Sequence, residues 1–119
     1  MPDAKTYQGS CHCGKVRYEV TTDLASVIAC NCSMCSRAGT LLAFVPVEQF
    51  KLLSGEGNLT DYQFNKHVIH HHFCSTCGIK SFARGIGQGG KEMRAINVRC
   101  LEGVDLDGLA VKKVDGKSR

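Results

Sequence analysis

The sequence predicts an all-β, mainly β fold: one small domain of short antiparallel strands and hairpins, stapled by zinc. Three observations predict it. Several short runs alternate apolar and polar residues, the period of a half-buried strand. Turn-forming Gly, Ser and Pro recur between these runs. No segment keeps a helical period over three turns.

In chain order, residues 1–9 are a lead-in to the first strand. Val16, Tyr18 and Val20 then alternate with Lys15, Arg17 and Glu19. Residues 26–30 form a second apolar strand, and residues 41–45 a buried run stopped by Pro46. Residues 46–50 read as a helical turn, with proline where a first turn tolerates it. Ser54, Gly55, Glu56 and Gly57 make a turn, and residues 59–64 alternate again. Residues 67–73 run as a strand into Cys74 and Cys77, and residues 78–83 lead out. Residues 85–90 form a glycine-rich hairpin loop; no helix pattern follows, so it is not a dinucleotide fingerprint. Residues 93–101 form the last strand, with Ile96, Val98 and Cys100 on one face.

A chain of 119 residues fits a single domain, 1–119. It holds no apolar run long enough to span a membrane. Met1, Pro2, Asp3, Ala4 and Lys5 lack the apolar signal of a secreted protein, which places the expected location in the cytoplasm. Eight cysteines in C-x-C and C-x-x-C clusters then indicate reduced, metal-binding thiols rather than a disulfide framework. The net charge of +4 owes much to Lys112, Lys113, Lys117 and Arg119. No aromatic platform or continuous basic face accompanies them, so residues 111–119 read as a solvated basic tail and nucleic acid is not the expected partner.

The thiols fall into two groups. Cys11 and Cys13, with Cys74 and Cys77, supply the four ligands of a closed tetrahedral zinc. Gly14 and Gly78 follow each clip, where a chain turning around a metal benefits from a residue without Cβ. Cys30, Cys32 and Cys35 place three sulfurs within six residues, and no fourth cysteine is free except Cys100, which the last strand buries. Three protein ligands with one exchangeable position is the pattern of a catalytic zinc. The alternative is a second structural site completed by a histidine. His67, His70, His71 and His72 stand before Cys74 in the same strand, each able to ligate, shuttle protons or simply pack. His12, between two ligands, points away from the first metal. Asn58, Leu59 and Thr60 form a glycosylation sequon with no role in a reduced compartment.

Three blocks carry a family resemblance: residues 9–16 (Gly-Ser-Cys-His-Cys-Gly-Lys-Val), 30–35 (Cys-Asn-Cys-Ser-Met-Cys) and 73–79 (Phe-Cys-Ser-Thr-Cys-Gly-Ile). In that order they resemble the glutathione-dependent formaldehyde-activating enzyme family, which includes centromere protein V. The likeness covers a core of about residues 7–102. It implies that Cys11, Cys13, Cys74 and Cys77 hold a structural zinc and that Cys30, Cys32 and Cys35 hold a second, catalytic-type zinc, two per chain. It also implies a carbon–sulfur lyase that condenses formaldehyde with glutathione to an S-hydroxymethyl adduct. The chain departs from the usual pattern at Asn31 and Ser36, beside the ligands rather than at them. The expected partners are glutathione or a related thiol and a small aldehyde. The rival expectation is a non-catalytic zinc module that binds a protein or nucleic acid.

Overall fold

Val16, Tyr18 and Val20 are fully buried, as their alternation requires; Tyr18 and Val20 form the inner face of the strand around which the first sheet is built, and Val16 stands just ahead of it. The computed structural model describes residues 4–63, 69–86 and 90–115. In chain order the strands are β1 (Lys5–Ser10), β2 (Arg17–Thr22), β3 (Val27–Cys30), β4 (Leu42–Pro46) and β5 (Phe50–Ser54). They continue as β6 (Leu59–Tyr62), β7 (His70–Cys74), β8 (Lys80–Ile86), β9 (Glu92–Asn97) and β10 (Val111–Val114). One α-helix, α1 (Ser33–Ala38), follows β3, and a 3-10 turn (Val47–Gln49) occupies the expected helical turn after Pro46.

The strands make two sheets: three strands in the order β1-β2-β5, and seven in the order β10-β3-β4-β9-β8-β7-β6. Tyr18 and Val20 from the first sheet pack on Val27, Ala43, Val45, Phe82 and Ile96 of the second. The rings of Tyr18, Phe50 and Phe82 cluster with centroids 4.8 to 6.1 Å apart. The Tyr18 hydroxyl donates to the Ser81 carbonyl at 3.3 Å, so the largest core side chain keeps its polar end satisfied.

The mainly β prediction holds, and the structure corrects several elements. The lead-in is a strand: β1 pairs with β2 along its whole length. It lacks alternation because it is an edge strand, held by polar cross-strand pairs such as Thr6–Thr21 at 3.0 Å and Gln8–Glu19 at 3.0 Å. The last long strand stops at Asn97, whose side chain accepts from the Arg99 amide at 3.2 Å and turns the chain into a 3-10 turn over Val98–Cys100. Cys100 therefore leaves the alternating face. Residues 111–114 of the expected solvated tail form β10, which lies parallel to β3. The second sheet is thus not wholly antiparallel. Residue 64 of one predicted strand, residues 67 and 68 of the next, 87–89 of the glycine-rich loop and 116–119 of the basic tail lie outside the described residues.

The turn at residues 54–57 forms as expected. At Gly55, φ is +95° and an added Cβ would sit 2.6 Å from the Lys15 carbonyl oxygen and 2.8 Å from Val16 Cα. Both neighbours are backbone and neither can yield cheaply. Gly55→Ala is therefore expected to lower stability by about 1–3 kcal/mol, measured as a shift in the urea midpoint at constant slope. Because Val16 packs on Cys11 and Cys74, the same change loosens the first thiol clip.

Candidate metal centres and the cavity between them

The loop from β1 to β2 carries Cys11 and Cys13, and the turn from β7 to β8 carries Cys74 and Cys77. A hydrogen bond from Cys11 N to Val16 O (3.0 Å) folds the first loop back, and one from Gly78 N to Cys74 O (2.9 Å) tightens the second. The four Sγ atoms lie within 4.8 Å of one another. Cys13 Sγ stands 3.6 Å from both Cys11 Sγ and Cys74 Sγ. Four sulfurs bound tetrahedrally at about 2.3 Å from an ion stand about 3.8 Å apart. The donor set therefore fits a metal ion as it stands.

Cys74 is the best supported of the four. Its sulfur accepts from Asn58 Nδ2 at 3.1 Å, from the Thr76 amide at 3.4 Å and from the Cys77 amide at 3.5 Å. The Cys77 amide, with that of Thr76, draws the Cys74 thiol down to about 6, so it is the thiolate of the set near neutral pH. Asn58, read in the sequence only as part of an idle sequon, is thus a support for a ligand. Nothing in its spacing announced that.

The second group is built at a helix start. Cys32 is the N-cap of α1, and its Sγ accepts from the Cys35 amide at 3.3 Å. Gly39, in the left-handed conformation, closes the other end with its amide on the Cys35 carbonyl at 2.9 Å. Cys30 comes from the end of β3, and its Sγ accepts from the Cys32 amide at 3.5 Å. These three Sγ atoms also lie within 4.8 Å of one another. Burial works against a Cys32 thiolate, but the Cys35 and Met34 amides and the neighbouring thiols carry it below the usual thiol value. Burial and the Cys32 thiolate push Cys35 up to about 12. Without a cation the three cannot all ionise together. A bound metal removes that conflict.

The structure therefore brings together the same seven cysteines that the spacing paired, in the same two groups. Either group could hold a metal ion. Among the described residues no histidine nitrogen joins either group, so the histidine-completed alternative for the trio finds no support there; His67 lies outside those residues. His12 is exposed. His70 Nδ1 bonds Asp61 Oδ2 at 2.7 Å, and His72 packs on the Phe82 ring at 5.1 Å.

His71 is buried on the other face of β7. Burial first, and Lys80 second, pull its imidazole from 6.5 down to about 4. The ring is neutral in the native protein, whereas the unfolded chain binds a proton below about pH 6.5. Between these values the unfolded state holds the extra proton. The contribution is whole above about 6.5 and is lost as pH falls towards about 4. Wild type is therefore expected to lose stability relative to His71→Gln as urea unfolding is repeated from about pH 7 to about pH 4.5.

A cavity of about 840 Å³ opens between the two groups. Cys11 and His12 of the first thiol loop line it together with Met34 and Arg37 of α1, and so do Lys80 and Arg99. The trio's thiols do not themselves line it; Met34 and Lys80 do. Lys80 is 8% exposed. Burial lowers its pKa, against the opposing pull of the Cys35, Cys32 and Cys30 thiolates that its ammonium faces. No sequence pattern marked it, because its burial depends on elements distant in sequence. Cys100 donates to the Lys80 carbonyl at 3.9 Å, and burial raises its pKa, in keeping with an inert thiol.

A mainly β domain with one four-thiol and one three-thiol cluster, each able to hold a metal ion, defines a class of proteins with clustered-thiol sites. The chain belongs to the glutathione-dependent formaldehyde-activating enzyme family, whose pattern it matches over residues 6–110. A Talaromyces marneffei protein named for glutathione-dependent formaldehyde activation is 34% identical over 90 residues, which are 71% of this chain and 46% of that protein. The chain thus spans about half the length of that relative. The crystal structure of a Rhodobacter sphaeroides protein superposes with a TM-score of 0.78 at 34% identity, covering 90% of this chain and 99% of the other.

Proposed function

We propose that the chain is a two-zinc enzyme acting on carbon–sulfur bonds, adding a small thiol such as glutathione to a small aldehyde such as formaldehyde. The observation that carries this reading is the trio: three mutually adjacent thiols with no fourth ligand among the described residues, beside a cavity lined by their own helix segment. Cys11, Cys13, Cys74 and Cys77 would hold a structural zinc that clamps the β1–β2 loop to the β7–β8 turn. Cys30, Cys32 and Cys35 would hold the second. Zinc there supplies an open position that lowers the pKa of a bound thiol and stabilises its thiolate.

The protein's own groups do the rest. Lys80 places a buried positive charge against the trio, which favours ionised sulfur in a region poor in water. The cavity admits the thiol from solvent past Met34. Substrate sulfur then forms a bond to the aldehyde carbon, the carbonyl π pair moves to oxygen, and that oxygen takes a proton. The product is the S-hydroxymethyl adduct, with no redox change and no further reactant. The reverse is lyase chemistry. Such thiol-dependent sites belong to a reducing compartment, which agrees with a cytoplasmic location.

The test is zinc per chain by elemental analysis, before and after glutathione titration, with formaldehyde loss followed in parallel. Two zincs, thiol binding and adduct formation faster than the uncatalysed background support the enzyme. Two zincs with no thiol response overturn it in favour of a binding module. One zinc calls for the same assay on reconstituted protein, and inactivity of the two-zinc form then overturns the enzyme.

A further inference from the structure

The inner face of the second sheet runs past its aromatic core into a row of basic side chains. His70 pairs with Arg84, and Arg84 with Arg94, so the three stand side by side on β7, β8 and β9. They occupy the next position along the face that carries Phe82 and Ile96. Like charges directly opposite one another destabilise a sheet unless a counterion separates them. Among the described residues the ion pairs are His70–Asp61 at 2.7 Å and Arg94–Glu92 at 3.0 Å, and Arg84 is in neither. Its Nε is buried with no hydrogen-bond partner among those residues. Residues 64–68, which precede β7 in sequence, and 87–89, which follow β8, contain no Asp or Glu.

The neighbouring groups leave Arg84 without an anion of its own. Asp61 is committed to His70 Nδ1, and Glu92 to one nitrogen of Arg94. The Arg94 guanidinium carbon stands 6.0 Å from the Phe50 ring centroid, which holds that fork at the rim of the core. Burial lowers the pKa of His72; Asp61 opposes this, while Arg84 and Arg94 both add to it. Both guanidiniums therefore act on one neutral imidazole. We infer that Arg84 and Arg94, with the His72 N–H as a third donor, bind a phosphate dianion, either free or as the terminal group of a small ester. A dianion balances two guanidiniums, and its tetrahedral oxygens accept from two forks and an imidazole at once. The site stands apart from the thiol chemistry: neither arginine lines the cavity, and none of the three residues belongs to either thiol group.

The test is thermal unfolding of the full chain, as purified, in inorganic phosphate and in glycerol 3-phosphate, with chloride and acetate at matched ionic strength as controls. At least one phosphate is expected to raise the melting temperature saturably, by about 4–8 °C once it stands tenfold above its Kd. The phosphate with the lower Kd identifies the source, ester or free ion. Arg84→Gln should weaken the response at least about tenfold. In chloride the same variant should melt at or above wild type, because the repulsion from Arg94 is relieved. Arg84→Lys keeps the charge and the stem but not the fork, and should weaken the response about tenfold as well; it carries the test if Arg84→Gln loosens the rim of the core. No rise beyond the chloride and acetate controls in wild type overturns the inference. So does a rise that survives both substitutions, which would put the phosphate elsewhere, on a metal held by the trio for example.

Discussion

The Cys32→Ser protein is expected to fold and to lose thiol binding. Cys32 caps α1 and, on the proposed reading, ligates the second zinc, and serine replaces only the first role. As the N-cap of α1 its sulfur accepts from the Cys35 amide at 3.3 Å. Serine is among the preferred N-caps, so its hydroxyl keeps that bond and the helix start with it. As a metal ligand it cannot be replaced, because a serine hydroxyl stays protonated near neutral pH and is a poor partner for zinc beside two thiolates. The expected result is a melting temperature within a few degrees of wild type, one zinc lost per chain, and a fall in kcat/KM of at least about a hundredfold. A variant that binds glutathione as well as wild type would remove the trio from the mechanism.

The Cys74→Ser protein is expected not to fold. Cys74 is 1% exposed, and its sulfur gathers Asn58 Nδ2 and two backbone amides and adjoins Cys13 of the β1–β2 loop. If the four-thiol group holds the proposed structural zinc, metal binding there is itself folding free energy. Small domains have only about 5–15 kcal/mol of total margin, and this one has a thin core between two sheets. The check is far-ultraviolet circular dichroism with size-exclusion chromatography: aggregated or unstructured protein is expected, where Cys32→Ser gives a monodisperse folded species. A folded Cys74→Ser protein retaining two zincs would show that the four-thiol group does not staple the fold.

How much of this was legible in the sequence depended on whether the controlling interaction was local. The two thiol groups were readable because metal geometry imposes C-x-C and C-x-x-C spacing on short stretches of chain. Val16, Tyr18 and Val20 were readable because one face of β2 is buried and the other is not. By contrast, α1 is too short to display a helical period, and its capping residue is a cysteine rather than a conventional N-cap. In β5 the residues Phe50 and Leu52 face inward, yet Leu53 is exposed, which blurs the alternation. β10 is polar because it is an edge strand. Lys80 and Asn58 owe their roles to elements that are distant in sequence, and no pattern in their own neighbourhoods could have placed them.

The pairing of β10 with β3 ties the far end of the described chain to the second centre. Asn31 lies between Cys30 and Cys32; its amide donates to the Val114 carbonyl at 3.1 Å, and its side chain donates to Asp115 at 3.0 Å. Ligation of the trio and closure of β10 are therefore linked equilibria, and each must favour the other by the same free energy. Edge strands with little buried surface open locally far more often than the core. Amide hydrogen exchange at residues 111–114 should accordingly slow when the trio is loaded with zinc and quicken when a chelator strips it, a remote gauge of occupancy that needs no substrate. Trimming the chain after Ala110 is then no innocent deletion. It removes the support of Asn31, and a loss of function in such a truncation would report on the metal centre before it reported on any partner of the basic residues.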